Sequence, residues 1–143
     1  MNSTYEQDLY AWAMHNAKLL RTGQLAKADI ENIAEELESM GASEKRELIS
    51  RFTILLGHLL KWQFQPEKRG NSWRATIVIQ RLDLKEHLAD NPSLKHQLNE
   101  RFRDAYRKGL LLAVKETGFH QSKFPKESPF TIAQVFDEEY FPE

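Results

Sequence analysis

The stretch that most constrains this chain is the run from His58 to Arg74, HLLKWQFQPEKRGNSWR. An apolar helical segment runs into Pro66, which lacks an amide and disfavours a helical residue before it. A basic turn follows through Gly70 and Asn71, and Ser72 caps a new helical segment that opens on Trp73. Stop, turn and restart in so short a space point to a helical hairpin. The same punctuation runs through the whole chain. Ser3 and Glu6 have capping-box spacing, and Tyr5, Leu9, Trp12, Asn16 and Leu19 recur at the three- and four-residue steps of one helix face, up to a stop at Gly23. Asp29 caps a second helix with Ile30, Ile33, Leu37 and Met40 inward, ended by Gly41. Ser43 caps a third, with Leu48, Phe52, Leu55 and Leu59 inward. The fourth carries Trp73, Ile77, Leu84 and Leu88 and ends by Asn91. Pro92 suits the first position of a fifth, whose inner face is Leu94, Leu98, Phe102, Ala105 and Ala113 and whose stop is Gly118. Thr131 and Gln134 repeat the capping-box spacing and predict a short last helix to about Asp137.

No stretch alternates with period two, so the expected class is all-α. Short connections favour antiparallel neighbours. The expected architecture is an up-and-down bundle of four main helices, with one or two shorter helices and a packed C-terminal tail. A chain of 143 residues reads as a single domain, 1–143, and a domain of that size buries about two thirds of its unfolded surface. The absence of cysteine removes disulfides and thiolate metal sites. The first residues, MNSTYEQDLYAW, lack the basic start and apolar run of a signal peptide, and apolar runs such as Leu110 to Val114 are far too short to span a bilayer. The expectation is a soluble cytoplasmic protein with no membrane partner.

The net charge of −1 hides a division. Residues 1–60 hold 6 basic and 9 acidic side chains, residues 61–108 hold 11 and 6, and residues 109–143 hold 3 and 6. A basic middle third between acidic flanks implies faces that meet within the fold or in a dimer, or else a surface for a polyanion.

A resemblance runs through YEQDLYAW (Tyr5 to Trp12), IENIAEELESMG (Ile30 to Gly41), HLLKWQFQP (His58 to Pro66), SWRATI (Ser72 to Ile77), NPSL (Asn91 to Leu94), and the ETGF, FP and PFT segments between Glu116 and Thr131. In order and spacing these resemble the bacterial domain of unknown function 29 family over nearly the whole chain. The resemblance implies an all-helical bundle and a bacterial source. It implies no activity, and no catalytic residue transfers with it.

The residues themselves argue against several chemistries. A carboxylate-bridged diiron bundle needs glutamate and histidine three apart on a helix, and none of the fifteen glutamates has histidine at that spacing. No HExxH motif is present, and no two of the five histidines (His15, His58, His87, His96, His120) lie three or four apart on one helix. His87 and His96 flank the Asn91-Pro92 turn and read as solvent-exposed. The expectation is therefore no metal and no cofactor, the one geometric alternative being His15, His58 and a second-helix glutamate. No serine or threonine has nucleophile-elbow context and no glycine-rich phosphate loop exists.

The candidate cluster is Glu35, Glu36, His58, Trp62, Trp73 and Arg74. A glutamate beside His58 would make an acid–base pair; the structural alternative is a solvated acidic face, or one ion pair to Arg74 or Lys61 that fixes helix register. Trp73 shares a face with Ile77 and reads as core, whereas Arg74 points about 100° away around the axis. Lys61, Lys68, Arg69, Arg74 and Arg81 are candidate phosphate contacts, with Trp62 or Phe64 to stack on a base, but no helix-turn-helix signature supports them, so nucleic acid is not the expected partner. The fifth helix is apolar on more than one side from Leu110 to Val114, so it is central or covered, either by the tail with Phe130, Phe136, Tyr140 and Phe141 or by a symmetric second copy. The reading is a non-catalytic interaction or scaffolding module that binds an unidentified protein partner or self-associates as a homodimer. The second reading is a small helical enzyme or metal-dependent hydrolase using His58 and a second-helix glutamate. The third is a weak nucleic-acid binder through residues 61–81.

Overall fold

The computed structural model describes residues 3–143, and the side chain of Ser3, on which the expected Ser3–Glu6 cap rests, lies outside the described set. Among the described residues there is no strand. The helices are α1 (Ser3–Gln7), α2 (Leu9–Arg21), α3 (Ile30–Phe64), α4 (Asn71–Asp90), α5 (Leu98–Thr117) and α6 (Ile132–Phe136), with 3-10 turns at Leu25–Lys27, Pro66–Lys68, Pro92–Gln97 and Gln121–Lys123. The fold is an all-α bundle with four long helices, and the chain divides into two compact units, Met1–Ser43 and Glu44–Glu143.

In the first unit the expected opening helix is in two pieces. Asp8 leaves helical geometry at φ −149° and turns its carboxylate onto the Ala11 amide, 3.0 Å away, capping α2. Trp12, Asn16 and Leu19 are buried as their spacing predicts, and Tyr5 meets the Trp12 ring edge-on with centroids 4.7 Å apart. Asp29 ties the unit together: Trp12 Nε1 donates to its carboxylate at 2.9 Å, and its amide donates to Asn16 Oδ1 at 2.8 Å. Hydrogen bonds from Asn32 and then Trp12 hold that carboxyl below its usual range.

Two expectations for this region are corrected. Gly41 does not end a helix, and Ser43 does not begin one: α3 runs through both for 35 residues. An interior glycine costs only about 1 kcal/mol against alanine, and neither a proline nor a positive φ follows to enforce a break. The apolar face of this part of α3 is not inward either. Ile30, Leu37 and Met40 are 52, 61 and 65 % exposed, and Leu9, Tyr10, Met14, Leu20 and Leu25 are exposed as well. Eight of the eleven exposed large apolar side chains among the described residues therefore belong to this unit.

The second unit holds the core. Leu48, Phe52, Leu55, Leu56, Leu59 and Leu60 of α3 pack with Ile77, Leu84 and Leu88 of α4 and Phe102, Ala105, Tyr106, Leu110 and Ala113 of α5. Helices α3 and α5 cross at Gly57 and Gly109. A Cβ on Gly109 would lie 3.1 Å from Gly57 N, Leu56 Cβ and Thr53 O, so any side chain there would push the two backbones apart by a few tenths of an ångström. The stops are where the sequence puts them: α3 ends ahead of Pro66, and Gly118, at φ +76°, closes α5. Thr131 and Gln134 form both halves of the capping box on α6. Two starts differ. Helix α4 begins at Asn71 behind Gly70 with no side-chain cap, and Pro92 opens a 3-10 segment from which α5 continues at Leu98, a frequent form of helix N-terminus. The C-terminal tail packs on the bundle, with Phe136 edge-on to Phe52 at 5.8 Å and Val135 buried. It covers α3 and α4, while Leu111 on the outer side of α5 stays exposed. The loop before it is pinned by the Tyr106 hydroxyl, which donates to Pro125 O, and burial pushes that phenol up to about 12.

Candidate functional site

The basic, aromatic hairpin is occupied by the chain itself. Pro66 and the 3-10 turn after it swing Arg69 back onto the end of α3, where its Nε donates to Trp62 O at 2.7 Å. Its Nη2 donates to the carbonyls of Pro142 (3.4 Å) and Glu143 (3.2 Å), and its guanidinium lies 5.3 Å from the Trp62 ring. Trp62 is buried against Phe141, with centroids 5.0 Å apart. Arg74 lies over the Phe141 ring at 4.2 Å. Trp73 is half-buried against the core, with Lys61 Nζ 4.7 Å from its ring. Cations over tryptophan and phenylalanine faces are attracted by the ring quadrupole, so the tail residue Phe141 completes what the sequence presents as an open basic face.

Arg81 is the most enclosed of the basic residues, at 0 % exposure. Its Nε donates to Val135 O at 2.8 Å and Nη2 to Gln134 O at 3.4 Å, closing the C-terminal end of α6. Burial lowers its pKa from the usual arginine value, with Asp137 opposing. Nη1 has no partner. Lys61, also buried, donates to Glu116 Oε1, and that bond is the main reason the Glu116 carboxyl sits below its usual range. Lys61, Arg69 and Arg81 are thus held by hydrogen bonds within the fold, Arg74 is exposed with its guanidinium over the Phe141 ring, and Lys68 is exposed.

The other candidates separate. His58, Trp62, Trp73 and Arg74 belong to the second unit, and Glu35 and Glu36 to the first, near Tyr5, whose hydroxyl they push up after burial does. Helix α3 continues through Gly41 without a break. His58 donates through Nδ1 to Ile54 O, 3.0 Å away within its own helix, and burial lowers its basicity. The acid near it is Glu116, opposite Lys61. Arg74 faces the Phe141 ring.

Sequence reasoning missed a different cluster. His87, expected in solvent beside the Asn91-Pro92 turn, is buried. Its Nε2 lies 2.8 Å from the main-chain oxygen of Glu44, and its Nδ1 lies 3.6 Å from Glu44 Oε2 and 3.7 Å from Glu47 Oε2. Arg51 holds Glu47 at 2.9 Å and reaches Asp83 at 3.1 Å. The only sequence signal was the Glu44–Glu47 pair at one-turn spacing, with its histidine forty positions away on another helix.

Among the described residues no helix is long and apolar enough to cross a membrane. An all-α bundle whose C-terminal tail packs Phe141 against Trp62 and Arg74 of the hairpin defines the class of protein. The chain belongs to the family described as domain of unknown function DUF29, whose model matches residues 4–141. No curated protein and no solved structure matches the chain.

Proposed function

We propose that this protein is a non-catalytic scaffolding module that self-associates through its first unit. The observation that carries this reading is the concentration of exposed large apolar side chains there. At 100° per residue, Leu9, Leu20, Tyr10 and Met14 fall within about 140° of arc on α2, and Ile30, Leu37 and Met40 within about 80° on α3. Together the eight residues leave the equivalent of more than four large side chains in water, on the order of 800 Å2, which is what one partner contributes to a stable interface of standard size. Isolated monomers rarely expose so much in one region.

A second copy of the chain is the occupant that the charges favour. Helix α2 ends in Lys18 and Arg21, followed by Lys27, and the start of α3 carries Glu31, Glu35, Glu36 and Glu38. A two-fold axis that lays α2 of one copy along α3 of the other pairs these sets twice, as an isologous interface requires. The hydrogen bonds that hold Lys61, Arg69 and Arg81 within the fold speak against the polyanion reading. The cytoplasm is the proposed compartment, in keeping with a chain free of cysteine.

Sedimentation equilibrium across micromolar to hundred-micromolar chain concentrations tests the proposal. A dimer is expected for the full chain, and a monomer for the double variant Leu37→Lys, Met40→Lys with its helical circular dichroism retained. A wild-type chain that stays monomeric throughout overturns it, as does a dimer indifferent to the double substitution.

A further inference from the structure

We infer that Glu44, Glu47 and His87 form a binding site for one divalent first-row transition ion, of the zinc or manganese kind, that cross-links α3 to α4. The inference is independent of self-association, because all three residues lie in the second unit. Three donor atoms, one from each residue, lie within 4.8 Å of one another. Two carboxylates alone are an ordinary acidic surface. What makes this a ligand set is the imidazole.

The His87 side chain is only 7 % exposed, and its ring is held at Nε2. Nε2 faces the Glu44 carbonyl oxygen at 2.8 Å, an acceptor that requires the ring to donate there. A neutral imidazole then presents a lone pair at Nδ1. Nδ1 stands 3.6 and 3.7 Å from two carboxylate oxygens, which as carboxylates are acceptors only. Metal-binding histidines are oriented in this way, the second nitrogen held by a main-chain carbonyl. The alternative is a proton on Nδ1. A charged N–H drawn to a carboxylate closes to about 2.7–2.9 Å, yet here both oxygens stand off nearly equally, at 3.6 and 3.7 Å. Two ligands each about 2.1 Å from a tetrahedral ion are roughly 3.4 Å apart, close to that spacing.

The charges agree with an ion rather than a proton. Glu47 is held by Arg51, and Arg51 in turn by Asp83. With Glu44 included, the linked set carries three carboxylates against one guanidinium. One proton cancels half of the remaining negative charge, and a divalent cation cancels all of it. Arg51 shares Glu47 Oε2 and tempers the affinity, but it also fixes the carboxylate in place, and Asn91 Nδ2 steadies Glu44 Oε2 at 3.4 Å. The mixed nitrogen and oxygen donors suit zinc and manganese better than calcium or magnesium. Both glutamates are about half exposed, so water completes the coordination from the solvent side.

The experiment uses the full chain without a histidine tag, stripped with a chelator and titrated with zinc by calorimetry, with histidine ring nitrogens followed by NMR. One zinc per chain is expected, with a shift confined to Nδ1 of His87 while Nε2 keeps its proton. Glu44→Gln and Glu47→Gln, both at exposed positions, should each weaken binding at least tenfold and leave the helical signal unchanged. His87→Gln should abolish it; should that variant unfold, the two glutamate variants and the ring nitrogen shift decide alone. Absence of stoichiometric binding overturns the inference. So does zinc affinity unchanged in both glutamate variants, or an Nδ1 already protonated at neutral pH that zinc does not displace.

Discussion

Arg81 is the residue whose removal says most about how this bundle is held together. Replacing it with methionine keeps a long apolar stem in place and deletes the guanidinium. The fold then loses the charged donor to Val135 O at 2.8 Å and the longer bond to Gln134 O at 3.4 Å. A hydrogen bond from a charged group contributes about 1.5–3 kcal/mol, and leaving a buried carbonyl unpaired costs a similar amount. Two terms oppose this. The guanidinium is fully enclosed and its Nη1 has no partner, so deleting it recovers part of the cost of burying the charge. The net expectation is a loss of about 2 kcal/mol, or roughly 4–8 °C in melting temperature for a chain of this size. Thermal melts by circular dichroism measure the shift, and limited proteolysis between Phe124 and Glu143 should show earlier cutting. Lys85→Met is the control, because its Nζ pairs with exposed Glu138 and such pairs contribute at most about 1 kcal/mol. A melt for Arg81→Met that is unchanged or raised would refute the reasoning: the guanidinium would then be a tolerated burden and the aromatic packing alone would hold the tail.

Two further outcomes follow from the geometry. Gly109→Ala should lower stability by up to about 2 kcal/mol, overpacking of about 1–3 kcal/mol offset by about 1 kcal/mol of helix propensity, whereas Gly41→Ala, which meets nothing within 4 Å, should raise it by up to about 1 kcal/mol; denaturant midpoints of the two variants with opposite signs are the check. Burial holds the His58 pKa below 6.5, so the unfolded chain binds the extra proton and stability falls as pH drops through that value toward the folded pKa; melts between about pH 7.5 and 5 should fall for the wild type and flatten for His58→Gln, and equal slopes for both would place the acid sensitivity elsewhere.

Much of the second unit was legible because its signals are local. Pro66 and Gly118 stop helices by backbone chemistry that no packing overrides, and Thr131 with Gln134 satisfies its own amides. Leu48, Phe52, Leu55 and Leu59 lie inward because a helical stripe beside other helices has nowhere else to go. The failures share a cause. Ile30, Leu37 and Met40 continue the stripe of Leu48 along the same helix, and periodicity reports that a face is apolar without reporting what covers it. Gly41 misled because its intrinsic penalty is small beside the helix-forming run that surrounds it. His87 could not be placed from its neighbours in sequence, since its burial depends on a carbonyl of Glu44 on another helix. How the basic hairpin is covered was not legible, because the sequence shows its charges and not the Phe141 ring that lies over Arg74.

The five-residue length of α6 has a consequence for motion. Helix nucleation is unfavourable, and so short a segment does not persist in water by itself. It exists while Arg81 holds its last carbonyls and Phe136 rests on Phe52. When that grip loosens, the segment cannot swing away as a rigid body; it melts. Opening at this end is therefore an order-to-disorder event, visible as amide exchange at Val135 and Phe136 faster than in the middle of α3, and each opening uncovers the Trp62 ring that Phe141 had shielded.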